Sequence, residues 1–159
     1  MCEPMSWIEY DGNVYFLTAK DLRTKEGREL KKYLGSAYKE DVVGHGAIDN
    51  YFGLMGQGVH HEVNDFTDPS RFPPQIVEAI KAGAFNGMFI CPQILTVPAW
   101  AEYKKIRGAA LAEYEKIKGA DWDEYEKIRG AAWDEYEKIT QTSFWCIARK
   151  PENRIDAWK

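Results

Sequence analysis

Polar and apolar positions between residues 100 and 143 repeat four times with a period of 11 residues. The units read WAEYKKIRGAA, LAEYEKIKGAD, WDEYEKIRGAA and WDEYEKITQTS. Trp100, Leu111, Trp122 or Trp133 opens each unit, and Tyr103, Tyr114, Tyr125 or Tyr136 follows three residues later. Ile106, Ile117, Ile128 or Ile139 comes three residues after that. Steps of 3, 3 and then 5 return to one side of a helix and match no strand alternation. Eleven residues span almost three turns at about 3.67 residues per turn, so equivalent positions stack nearly vertically. One helix from Ala99 to Thr140 is therefore expected, roughly 60 Å long at about 1.5 Å per residue. Its Trp, Tyr and Ile stripe needs a cover, because exposed tryptophans on a lone helix invite aggregation.

The expected cover is the same stripe on other copies of the chain, giving a homo-oligomer held by the twelve stripe residues. The alternative is a chain that folds back at Gly108, Gly119 or Gly130, which occupy equivalent places in three units. A helix-interior glycine costs about 1 kcal/mol relative to alanine. Its retention points either to close backbone approach or to plain duplication of the unit. A sustained 11-residue period favours a straight or slightly right-handed assembly over the left-handed heptad coiled coil. An amphipathic helix lying on a membrane fits less well, because such helices carry basic polar faces and this one is slightly acidic.

Shorter patterns organise the rest. Trp7 to Leu17 alternates around Asp11-Gly12, a hairpin signature. Thr24 caps an expected helix over Lys25–Leu34, with Gly35 as its stop. Ala47–Phe52 reads as a short helix and Val59–Val63 as a strand. Residues 64–72 form a loop, and Pro73-Pro74 opens a helix to Ala82 that Gly83 closes. Phe85–Ile90 and Ser143–Ala148 read as buried strands, the latter returning to the N-terminal sheet. Asn153–Trp158 reads as a terminal turn or short helix. The expected fold class is α+β, divided into an α+β domain over residues 1–98, a repeat helix over 99–141 and a tail over 142–159 that packs on the first domain.

Composition adds six Trp, nine Tyr and seven Phe in 159 residues, enough large side chains to build a core. A net charge of −4 with no basic track disfavours nucleic-acid binding. Cys2, Cys91 and Cys146 are odd in number and lack CxxC spacing, so they suggest neither a disulfide framework nor a zinc knuckle. Cys91 and Cys146 sit in apolar runs and are expected to be buried. No apolar run approaches membrane-spanning length and no signal-peptide pattern opens the chain. A cytoplasmic location is expected, which for a phage-encoded protein is the host cytoplasm.

Candidate chemistry gathers between residues 44 and 72. His45 lies between glycines, and alternation puts His60 and Glu62 on one face of their strand with His61 on the other. With Asp49 and Asp65 nearby, a metal site is conceivable, but the spacing matches no compact metal motif. GLMGQG over residues 53–58 lacks the Lys-Ser/Thr of a phosphate loop. No GxSxG, HExxH or kinase signature occurs, so no catalytic residue, cofactor or metal is assigned. His45, Asn50, Tyr51, His60 and Arg71 remain as candidate ligand residues, suited to stacking on a planar group and meeting phosphate.

The repeat, the run VVGHGAIDNYFG (42–53), the run FPPQIVEAIKAG (72–83) and the ending NRIDAWK (153–159) together resemble a group of small phage and prokaryotic metagenomic proteins in which AEYEKI-type units vary in copy number. The resemblance brings no activity or site residues with it. A phage setting implies one further expectation: small oligomeric phage proteins can act as sponges for nucleotide-derived immune signals. The leading expectation is thus a non-enzymatic homo-oligomeric binding protein that sequesters a small phosphate-bearing molecule. A scaffold using the repeat helix comes second, and an enzyme acting on a nucleotide or glycan third.

Overall fold

A computed structural model describes residues 5–34, 43–116 and 122–159, and gives only the backbone course of residues 122–128. The protein is α+β: a three-stranded antiparallel sheet of order β2-β1-β3 with five helices among the described residues. Strands β1 (Met5–Tyr10) and β2 (Asn13–Tyr15) form the expected hairpin, paired Ile8 to Tyr15 and Tyr10 to Asn13. Asp11 and Gly12 join them with φ of 49° and 73°. Two consecutive positive φ angles give the tight turn whose twist matches the strands, and Asp-Gly tolerates them.

Helix α1 (Lys25–Leu34) starts where the sequence places it. The Thr24 hydroxyl accepts a 3.0 Å hydrogen bond from the Gly27 N–H, satisfying one orphan donor of the first turn. Gly35, its expected stop, lies outside the described residues. Helix α2 (His45–Phe52) begins two residues earlier than expected and leads through irregular backbone to β3 (Val59–Val63). β3 pairs with β1, with Trp7 opposite His61 and Ile8 opposite His60. Helix α3 (Pro74–Ala82) has its expected bounds.

Phe85–Ile90 is not a strand. It is a series of turns with Gly87 at φ 88°, a conformation that breaks extended pairing. Phe85, Met88 and Phe89 are nonetheless buried, and Phe85 packs on Phe16, Phe89 and Trp145. The apolar run signalled burial, which turns can supply as well as a strand.

The repeat is helical, as its period predicts, but it forms two helices in place of one. These are α4 (Val97–Lys116) and α5 (Trp122–Ala148). They run antiparallel: Tyr103 meets Phe144 edge to face at 5.5 Å, Arg107 reaches Tyr136, and Tyr114 meets Trp133 at 5.3 Å. Stripe residues that a single helix would leave for another copy are therefore partly covered within the chain. Gly108 and Gly130 lie inside these helices, with nothing within 4 Å of where a Cβ would sit. Gly119 and Ile117 lie outside the described residues, as do the side chains of Trp122, Tyr125 and Ile128.

Ser143–Ala148 is the last part of α5 and not a strand returning to the sheet. Tyr136, Thr140, Phe144 and Ile147 continue one helical face at steps of four, four and three, and all are buried. That period, extended from the repeat, outweighs the β preference of the SFWCIA run. The same helix turns Cys146 outward, so it is exposed while Cys91 is buried. The tail after α5 returns beside residues 94–96. The Ile155 N–H donates to the Ile94 carbonyl at 2.9 Å, and the Thr96 N–H to the Asn153 carbonyl at 2.8 Å.

Two tryptophans and one arginine fasten this end. Trp145 donates through Nε1 to the Phe89 carbonyl at 2.8 Å, and Trp158 to the Phe66 carbonyl at 2.6 Å. Both rings are fully buried. Arg154 is 4% exposed and donates to the carbonyls of Ala148, Lys81 and Arg149 at 2.6–2.8 Å. Burial lowers the pKa of its guanidinium from the ordinary value, and Glu78 and Glu152 act against that. Backbone carbonyls thus ligate a buried cation, which apolar surroundings alone would not tolerate.

Candidate functional site

Two regions present candidate functional side chains: the surface where α2 meets β3, and the outer half of the α4–α5 hairpin. On the first, His45 and Asp49 lie four residues apart on α2 and so share a face. His45 Nε2 lies 2.8 Å from the His61 carbonyl, tying α2 to β3. Its ring stacks on His60 at 4.7 Å with an interplanar angle of 15°. His60 Nε2 stands 3.7 Å from Asp49 Oδ2. Across the strand, His61 stacks on Trp7 at 5.0 Å, and its Nε2 stands 3.6 Å from Glu9 Oε1. Glu9 Oε1 accepts from Trp7 Nε1 at 3.0 Å.

Adjacent histidines on β3 thus face carboxylates on opposite sides, as alternation requires. Asp49 Oδ1 and His61 Nε2 are buried without a hydrogen-bond partner among the described residues. The i, i+4 spacing of His45 and Asp49 was the sequence signal for this pairing, but the boundary of α2 had to include His45 for it to be read. Glu9 carries no such signal, since only the β1–β3 register brings it to His61.

The remaining candidates lie apart from this pairing. Tyr51 is half-buried, its hydroxyl 3.2 Å from Thr24 Oγ1, and so joins α2 to the cap of α1. Asn50 is exposed on α2. Arg71 binds Asp65 at 2.8 Å in the loop before α3. Hydrogen bonds from the Thr67 hydroxyl and N–H hold the Asp65 carboxyl below its ordinary pKa, and Arg71 adds to the effect. No group of three His, Cys, Asp or Glu among the described residues is arranged to hold a metal.

The second region is an apolar groove of about 680 Å³ between α4 and α5. Ile106, Ala109, Ala110 and Tyr114 line one wall, and Ala132, Tyr136 and Ile139 the other. Leu111, Trp133 and Ile139 are 36%, 42% and 38% exposed. Deeper in, Arg107 Nε donates to the Tyr136 hydroxyl at 3.1 Å, which with their charge interaction raises the guanidinium pKa. Burial raises the pKa of the neighbouring Tyr103 hydroxyl, with Arg107 opposing. No described helix is long and apolar enough to cross a membrane.

Comparison with protein-family models, curated proteins and solved structures finds no match for this chain.

Proposed function

We propose that this chain is a non-enzymatic homo-oligomeric binding protein whose repeat hairpin holds copies together. The observation that carries this reading is the apolar groove between α4 and α5, together with Leu111, Trp133 and Ile139 left partly in solvent on the same two helices. Contiguous apolar surface rimmed by charge is a mark of protein interaction. Here the rim is Glu113, Lys116 and Glu135, and the floor is alanine and aromatic. Aromatic side chains at such a patch supply much contact area for little conformational entropy. The groove uses the functional surface expected of a scaffold, so assembly stands ahead of ligand capture in this reading.

A second reading, sequestration of a small molecule, draws on the α2–β3 surface. Asp49 Oδ1, beside the stacked His45–His60 pair, is a buried polar atom without a hydrogen-bond partner among the described residues, and His61 Nε2 is another on the opposite face of β3. Such atoms gain from a polar ligand. The two carboxylates there oppose a purely phosphate-directed site, so a ligand with hydrogen-bond donors suits it better.

The test is native mass spectrometry of the full chain beside Leu111→Asp with Trp133→Asp. The reading expects a defined oligomer in the natural chain and a monomer in the double variant. An unchanged mass in the variant, with a folded circular dichroism spectrum, removes the exposed apolar face of the hairpin as the assembly surface. Extra mass released intact on denaturation supports the second reading.

A further inference from the structure

We propose that copies of this chain join head to tail, with Leu111 and Trp133 of one hairpin seated in the alanine-floored groove of the next. This rests on the self-association proposed above and specifies which surface meets which.

The hairpin carries two apolar surfaces on opposite sides. At about 100° per residue, Leu111 stands roughly 140° around α4 from Ile106, and Trp133 roughly 120° around α5 from Ile139. Ile106 and Ile139 line the groove, whereas Leu111 and Trp133 do not. Tyr114 and Tyr136 stand between, since both line the groove and both touch the Trp133 ring, at 5.3 and 5.2 Å. Because α4 and α5 run antiparallel, the same sense of rotation leads from the groove to the same side of the hairpin on both helices. One side is therefore a socket and the other a ridge.

The two surfaces fit each other. Ala109, Ala110 and Ala132 help to leave about 680 Å³ open between the helices. Sites that enclose a whole small molecule span about 300–1,000 Å³, so an indole and a leucine side chain can enter together. Leu111 and Trp133 are 36% and 42% exposed and have apolar surface left to bury. Charges agree with this seating. Glu115 and Glu137 stand four residues after Leu111 and Trp133. On the socket side, Glu113 pairs with Lys116 and Glu135 with Lys138. Stacked in register and in the same direction, Glu115 and Glu137 of one copy fall within about 1.5 Å along the axis of Lys116 and Lys138 of the next. Such unlike charges fix register.

A second copy is the occupant because one repeat builds both parts. Ala110 and Ala132 close their units, and Leu111 and Trp133 open the next ones. Every copy thus carries one socket and one ridge. A two-fold dimer joined through either surface leaves the other in water on both copies, whereas head-to-tail joining covers both. Such a contact closes into a ring or runs on as an open series. The defined oligomer proposed above is then a ring.

The test uses two full-length variants that each keep one surface. Ala109→Glu with Ile139→Asp blocks the socket, and Leu111→Asp with Trp133→Asp removes the ridge. All four side chains are exposed, so the core is left intact. Native mass spectrometry should find each variant monomeric alone, and the mixture should form a one-to-one pair and nothing larger. A socket variant that keeps the mass of the natural oligomer overturns head-to-tail joining and leaves self-association through the ridge standing. Monomers that fail to combine on mixing also overturn it. A natural chain that is monomeric at every concentration overturns both proposals. A second probe does not depend on these variants: benzoylphenylalanine in place of Trp133, photoactivated in a mixture of isotopically heavy and light chains. Links from position 133 should reach residues 106–110 or 135–139 of another copy. Links between copies that fall on Leu111 or on position 133 itself would mark ridge-on-ridge pairing and contradict the proposal.

Discussion

The inner and outer ends of the α4–α5 hairpin are built from the same unit yet live in different surroundings. At the inner end, Tyr103, Phe144 and Trp145 are completely buried and belong to the single core that also holds β1 and α3. At the outer end, Leu111 and Trp133 are about two-fifths exposed. Tyr103 and Tyr114 occupy equivalent positions, but one lies fully inside the core and the other only half-buried. A repeat therefore fixes which side chains share a face. Its surroundings decide how much that face contributes to stability and how much remains for another molecule.

This contrast can be broken at its inner end with the largest effect. Trp145→Ala should cost about 3–5 kcal/mol, the range for emptying a core aromatic site, and it also strips the Phe89 carbonyl of its donor. Trp133→Ala, at the outer end, should cost about 1 kcal/mol or less. Denaturant unfolding of both variants measures the difference, and equal losses would abolish the distinction between the two ends.

Between these ends sits the Arg107–Tyr136 hydrogen bond. Tyr136→Phe removes it without changing the ring, and should destabilise the chain by about 0.5–1 kcal/mol, since Arg107 can turn to water. A larger loss would mean that the bond is more deeply buried than its exposed guanidinium suggests.

The repeat glycines sharpen the comparison further. Gly108 and Gly130 face open space in the single chain, so Gly108→Ala and Gly130→Ala should each stabilise it by about 0.5–1 kcal/mol. If a second copy approaches at these positions, the same changes will raise the melting temperature yet weaken association. Thermal melting measured beside sedimentation separates the two outcomes.

The smallest expected effect concerns pH. Burial raises the Tyr103 pKa above its ordinary value of 10.0, so the fold favours the neutral phenol. That contribution is complete below the pKa of the unfolded phenol and disappears as pH rises through the folded one. Alkaline loss of stability should accordingly be shallower in Tyr103→Phe than in the natural chain. Parallel unfolding curves across the alkaline range would show that Tyr103 plays no part in it.

Much of the fold was legible because local signals agreed with tertiary needs. Asp11-Gly12, Thr24 and Pro73-Pro74 set their turn, cap and helix start directly, and Val59–Val63 has its expected bounds. Sequence and structure part where buried apolar runs have strand-like composition. Phe85–Ile90 and Ser143–Ala148 are apolar enough for a sheet, but one is broken by Gly87 and the other continues the helical period of Tyr136 and Thr140. The antiparallel pairing of α4 and α5 was written nowhere locally, because IKGAD differs little from its helical copies. For the candidate site, His45 and His60 do meet, since α2 and β3 are adjacent in the chain and in space. Arg71 pairs instead with Asp65, a partner six residues away that loop geometry selected.

If copies of the chain associate as proposed, the outer end of the hairpin is their contact surface. Native mass spectrometry across a dilution series, on the natural chain and on Leu111→Asp with Trp133→Asp, tests this most directly. A defined oligomer that the paired substitutions convert to a folded monomer is the expected result. A natural chain that stays monomeric at every concentration would contradict it, and would leave the groove as a feature of the hairpin alone.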